Sequence, residues 1–76
     1  MDTDATTALL VQIGRNIKAE RARSGKRQDE VAHDAQMAVA QFARLERGEV
    51  DSGVSKYVRV ARALGVPVTT LFQGID

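Results

Sequence analysis

Gln41 and Arg44 stand three residues apart in AQMAVAQFARLERG, Ala35 to Gly48, a largely apolar run between a turn and a glycine. On a helix that spacing puts an amide and a guanidinium one turn apart on the same side. These are the groups that pair bidentately with the edges of adenine and guanine in the major groove of duplex DNA. Phe42 and Leu45 fall on another side, so the run reads as a helix with one face for a core and one for a partner. Val39, Ala40 and Ala43 keep the outer face slim enough for a groove about 12 Å wide, and Val39 and Ala40 offer apolar contact of the kind that meets thymine methyl groups.

The other residue types that could do chemistry are isolated. His33 is the single histidine, beside Asp34, with no cysteine or second imidazole to complete a metal set, and it reads as a solvated helix residue. Ser24, Ser52 and Ser55 fall in loops and caps, outside any strand-turn-helix nucleophile elbow. The glycines never bunch into a phosphate-cradling loop. The expectation is no enzyme, no metal and no cofactor. The absence of cysteine removes disulfides and thiolate nucleophiles and suits a reducing compartment. MDTDATTALLVQIG carries no basic leader, and its longest apolar run, Ala8 to Val11, is too short for a signal core or a membrane span. A cytoplasmic protein with no membrane association is expected.

A chain of 76 residues makes one small domain, which buries about 60% of the surface its unfolded form exposes. With 43% hydrophobic and 28% charged residues the composition is globular rather than disordered. The net charge is only +1, but the charges are unevenly placed. Arg15, Lys18, Arg21, Arg23, Lys26 and Arg27 face Glu20 alone between positions 15 and 28, and Lys56, Arg59 and Arg62 cluster later. Acidic residues gather at Asp29, Glu30 and Asp34 and again at Glu49 and Asp51. The pattern describes a modest basic face.

The elements that must position the run follow from periodicity and punctuation. Residues 1–7 are polar and are expected as a flexible lead-in, with the domain spanning 8–76. Leu9, Leu10, Ile13 and Ile17 predict a first helix over 9–24, ended by Gly25, with Gly14 inside it a liability of about 1 kcal/mol against alanine. A short second helix is predicted over 28–35, with Asp29 and Glu30 in its first turn and Val31 and Ala35 on one face; Arg27 makes a poor cap for it. The third, over about 38–47, is the opening stretch itself. Val54, Tyr57, Val58, Ala61 and Leu64 recur at three and four and predict the fourth, ended by Gly65. Pro67 opens a fifth, in which Val68, Leu71 and Phe72 share a face and Gly74 is the stop. No run alternates with period two, so the prediction is an all-α, compact five-helix bundle containing a helix-turn-helix formed by helices 2 and 3.

In IGRNIKAERARSG, QDEVAHDAQMAVAQFARLERG and VSKYVRVARALGVPVTTLF, in that order and without a gap from Ile13 to Phe72, the sequence resembles the lambda-repressor-like, Cro/Xre-type helix-turn-helix family. The LERG ending at Gly48, Gln28, Ala32 and ARALGV from Ala61 carry the likeness. The resemblance implies roles. Gln28 looks like the family glutamine that contacts phosphate and steadies the recognition helix. Val39, Ala40, Gln41 and Arg44 fall where bases are read; Arg47 and Lys56 fall where phosphates are gripped, with Arg27 a further phosphate candidate. Arg21 and Glu46 look like the family's internal ion pair. Relatives of this size often dimerise near the last helix, which points to Val68, Leu71, Phe72 and Ile75 as a surface between two copies. Gln36 stands where the family usually has glycine, so it must accept an uncommon backbone angle or change the turn. Glu49 and Asp51 occupy a loop that approaches DNA in relatives, where they would repel phosphates unless turned away.

The expected function is a sequence-specific transcription regulator that binds a double-stranded DNA operator as a homodimer, whether a stand-alone repressor or a restriction-modification controller. The alternative is a protein-interaction module on the same scaffold, such as the antitoxin partner of a toxin.

Overall fold

The computed structural model describes residues 3–75. Its elements are α1 (Thr3–Ser24), α2 (Gln28–Asp34), α3 (Val39–Glu46), α4 (Val54–Leu64) and a closing 3-10 helix, Val68–Phe72. No strand occurs among the described residues. The described residues are all-helical, but with four α-helices rather than five. The last segment is too short and too rich in β-branched residues to sustain an α-helical ladder, and the Thr70 N–H donates instead to the Pro67 carbonyl, three residues back.

α1 also begins earlier than periodicity predicts. Residues 3–7, expected as a flexible lead-in, are helical; residues 1 and 2 and the final Asp76 lie outside the described residues. Asp4 suits the positive end of the helix dipole, and Ala5 and Ala8 are strong helix formers, so a helix already nucleated farther along extends over them at little cost. At about 1.5 Å per residue, its 22 residues match the 34 Å long axis of the molecule.

The core is shared by every element. Phe42, Ile17, Leu45, Leu71, Val31 and Val60 are fully buried in it, and Ala32 is a small residue buried in α2. α1 packs against α3, α4 and the 3-10 helix, while α2 bridges α3 and α4. Two glycines set how closely α1 meets α3. A Cβ on Gly14 would lie 2.5 Å from the Glu46 carbonyl oxygen and 2.6 Å from that of Leu45. Gly48 has a left-handed φ of 72°, and a Cβ there would lie 2.6 Å from the Val11 Cα. Gly14, read from sequence as a liability, is the seat on which the C-terminal end of α3 rests.

Helices 2 and 3 both end in paired reverse hydrogen bonds of the Schellman type. After α2, Met37 N–H donates to the Ala32 carbonyl and Gln36 N–H to that of His33. The residue between helix and turn must be left-handed, and Gln36 takes that conformation at φ 59° without being glycine. After α3, Glu49 N–H donates to the Arg44 carbonyl and Gly48 N–H to that of Leu45. The C-terminal strap is clamped from α1: Asn16 Nδ2 donates to the carbonyls of Leu71 (2.9 Å) and Gln73 (2.8 Å), and Gln12 donates to Asn16 Oδ1.

Candidate nucleic-acid interface

α3 is anchored at one end and presented at the other. Phe42 and Leu45 hold it in the core, and its C-terminus rests on Gly14, whereas Val39 is 45% exposed and Ala40 and Arg44 are exposed. Gln41 is half-buried between those faces. Of the four side chains expected to read bases, Val39, Ala40 and Gln41 therefore lie in the first turn of α3 and Arg44 in its last turn, two residues before Glu46.

The Arg21–Glu46 pair ties the base of α3 to α1. Arg21 Nε donates to Glu46 Oε2 at 2.5 Å and Nη2 to Oε1 at 3.2 Å, while Nη1 donates to the Lys26 carbonyl. The Glu46 side chain is 4% exposed, and its ionic hydrogen bonds raise the Arg21 pKa above its ordinary value. Gln28 Nε2 donates to Glu46 Oε1 as well, at 2.9 Å. One carboxylate thus gathers the first residue of α2, the last of α3 and the C-terminal part of α1. Half of the Gln28 amide is committed to steadying α3, and its remaining N–H and carbonyl oxygen are its means of touching anything else.

The other cations differ in how free they are. Arg27 is exposed and pairs with Asp29 at 3.1 Å, and this hydrogen bond holds the Asp29 carboxyl below the usual carboxylate range. The Arg27 N–H donates to the Glu30 carboxylate, which offsets the missing side-chain cap of α2. Lys56 is half-buried in the first turn of α4. Lys26 Nζ donates to the Ala63 carbonyl and ties the α1–α2 turn to α4.

The acidic loop after α3 resolves into two different situations. Glu49 forms a two-pronged pair with Arg47, Nε to Oε2 at 2.6 Å and Nη2 to Oε1 at 3.2 Å, and Arg44 Nε lies 3.9 Å from Oε1. The Arg47 hydrogen bond lowers the Glu49 pKa, with the charges of Arg47 and Arg44 adding to it. Asp51 Oδ1 instead accepts the Gly53 N–H and shapes the approach to α4. Sequence reasoning missed the Glu49 pairing, although a signal was present. In an ending of this type the residue after the capping glycine returns to the helix three residues before the cap, so R-x-x-R-G-E brings its acid back to the last turn, which carries both arginines.

The expected surface between copies needs one correction. Leu71 is fully buried, because the Asn16 clamp draws the strap onto the core, so this side chain serves the protein's own interior. Val68, Phe72 and Ile75 are half-buried, with Phe72 edge-on to Tyr57 at 6.0 Å between ring centres. Phe72 and Ile75 join Leu9 and Val54 around a mainly apolar cleft of about 460 Å³. Val54 is 74% exposed. No helix among the described residues is long and apolar enough to cross a membrane.

Comparison with known proteins agrees with this architecture. The family model described as "Helix-turn-helix domain" matches residues 12–71. No curated protein matches the chain. Among solved structures, the restriction-modification controller protein C.AhdI from Aeromonas hydrophila superposes with a TM-score of 0.83 at 25% identity, covering 86% of this chain and 98% of that one. The clp gene regulator ClgR from C. glutamicum superposes with a TM-score of 0.79, also at 25% identity, over 83% of this chain and 82% of that one. With an exposed second helix locked to its partner through Gln28 and Glu46, and a helix-turn-helix match over most of its length, the chain belongs to the lambda-repressor-like, Cro/Xre-type helix-turn-helix DNA-binding family.

Proposed function

We propose that the protein is a transcription regulator that inserts α3 into the major groove of an operator, as a homodimer on two half-sites. The observation that carries this reading is the exposure of Val39, Ala40 and Arg44, with Gln41 half-buried beside them, along a helix whose C-terminal end is fixed by Gly14 and the Arg21–Glu46 pair. In it, Gln41 and Arg44 read bases by their amide and guanidinium groups, and Val39 and Ala40 pack on the groove wall. Arg27, Gln28, Arg47 and Lys56 contact phosphates and set the register of the helix. Both solved neighbours are described as a controller or a regulator, which supports regulation of transcription as the task.

Base reading and phosphate gripping separate experimentally. With an operator selected from a random oligonucleotide pool, Arg44→Ala should lose about 1–3 kcal/mol and relax preference at one base position. Lys56→Ala should weaken every duplex alike and flatten the salt dependence by about one unit of slope. An Arg44→Ala variant that loses affinity equally for all sequences removes the base-reading assignment. A wild-type protein whose weak DNA binding ignores salt would instead favour the protein-interaction module.

A further inference from the structure

Glu49 brings a negative charge onto the proposed DNA face, against Arg47 and near Arg44, two of the cations assigned to DNA. It is not a stray surface acid. Its N–H is bonded to the Arg44 carbonyl, and Gly48 before it is fixed in the left-handed conformation, so the backbone delivers its carboxylate to α3. There it receives both prongs of the Arg47 guanidinium, at 2.6 and 3.2 Å, with Arg44 Nε at 3.9 Å. A planar, two-pronged grip on two oxygens is also how a guanidinium holds a phosphate.

We propose that Glu49 is an intramolecular stand-in for a DNA phosphate, an affinity-determining residue that occupies Arg47, with Arg44 nearby, until the duplex takes its place. The inference rests on the DNA-binding reading above. Arg47 cannot offer the same prongs to Glu49 and to a phosphate, so gripping DNA exchanges one anion for the other. The released carboxylate recovers a counter-cation while the phosphate loses one, and the gain in released ions from that contact is cancelled. It also stays close to the phosphates it yields to, and repels them. Glu49 thereby lowers affinity for all duplexes and leaves discrimination to the groups that touch bases. Asp51, two residues on, has no such role: its carboxylate is turned to the Gly53 N–H, and no cation pairs with it among the described residues.

The test measures binding of the wild type, Glu49→Gln, Asp51→Asn, Arg47→Ala and Arg47→Ala/Glu49→Gln to a selected operator and to a scrambled duplex, over a salt series. Glu49→Gln should bind both duplexes about three- to tenfold more tightly at low salt, with a salt slope steeper by about one. Asp51→Asn makes the same change in net charge and should gain no more than about twofold. In the Arg47→Ala background the gain from Glu49→Gln should shrink to about twofold or less, because the acid acts through that arginine. Equal gains from Glu49→Gln and Asp51→Asn, or a gain that survives without Arg47, overturn the proposal. So does weaker operator binding by Glu49→Gln, which would make the acid a contact rather than a competitor. An arm without DNA keeps the two ideas apart: the Arg47 Nε–H resonance should shift on Glu49→Gln and stay in place on Asp51→Asn. If it does not, the pairing is absent; if it does while no duplex is bound by any variant, the DNA reading is what fails.

Discussion

Gly14 is where a single atom decides the most. Judged by helix propensity alone, alanine there should stabilise the protein by about 1 kcal/mol. The added Cβ, however, would meet the backbone carbonyls of Glu46 and Leu45 at 2.5 and 2.6 Å, and backbone cannot rotate away as a side chain can. Gly14→Ala should therefore destabilise by about 1–3 kcal/mol, lowering the melting temperature by about 4–8 °C for each. Gly25 is the control: nothing lies within 4 Å of its Cβ position, and its φ of 72° leaves only the left-handed penalty, about 1–2 kcal/mol. In thermal unfolding both variants should melt below the wild type. A Gly14→Ala protein melting above the wild type would mean that α1 and α3 do not meet as described. Gln36 is the reverse case, an ordinary side chain tolerating a glycine's angle because the reverse hydrogen bonds of Gln36 and Met37 hold the turn closed.

Besides Phe42 and Leu45, Glu46 holds α3, since its carboxylate collects donors from α1 and α2. The two halves of the pair are unequally exposed, with the Arg21 side chain at 20% and Glu46 at 4%. Arg21→Ala strands the buried carboxylate with Gln28 as its remaining partner, and should cost about 3–5 kcal/mol. That is a large part of the 4–11 kcal/mol or so expected for a chain this size at about 0.05–0.15 kcal/mol per residue. Replacing both partners at once, Arg21→Met with Glu46→Leu, removes the stranded charge and should recover more than half of the loss, read from urea midpoints. A double variant no better than the single one would show that the network, not the burial of an unpaired charge, carries the stability. The contrast between legible and illegible elements follows similar lines. α2, α3 and α4 could be read because apolar residues recur at three and four and glycines stop them. The first six residues of α1 could not, because Thr3 to Ala8 has no apolar period and owes its helicity to continuation from Leu9 onward. Leu71 was misplaced because Val68, Leu71 and Phe72 are all apolar, and which of them turns inward depends on long-range packing against α1 and α4, including the bond from Asn16, 55 residues away in sequence, to the Leu71 carbonyl. Gly14 was misjudged for the same reason: its role belongs to whichever helix happens to cross it.

The whole molecule measures 34 × 22 × 20 Å, so two copies side by side can set their recognition helices one DNA turn apart, about 34–36 Å. An isologous pair requires a surface that is complementary to itself and away from the DNA-reading side chains. The rim of the apolar cleft, with Leu9 at 39% exposure, Val54 at 74% and the half-buried Phe72 and Ile75, supplies apolar area, and Phe72 and Ile75 belong to the surface expected between copies. Leu9→Asn with Val54→Asn tests it without adding charge that would itself alter DNA binding. Both positions are exposed, so each substitution should change the stability of the folded monomer by only about 0.5 kcal/mol. Sedimentation equilibrium at tens of micromolar should show the wild type as a dimer and the double variant as a monomer. On a palindromic operator the variant should lose cooperative filling of the second half-site, while its affinity for an isolated half-site stays within about twofold of the wild type, since no group proposed to touch DNA has changed. A wild type that sediments as a monomer and fills two half-sites independently would place regulation in single copies, and the exposed Val54 would then need another explanation.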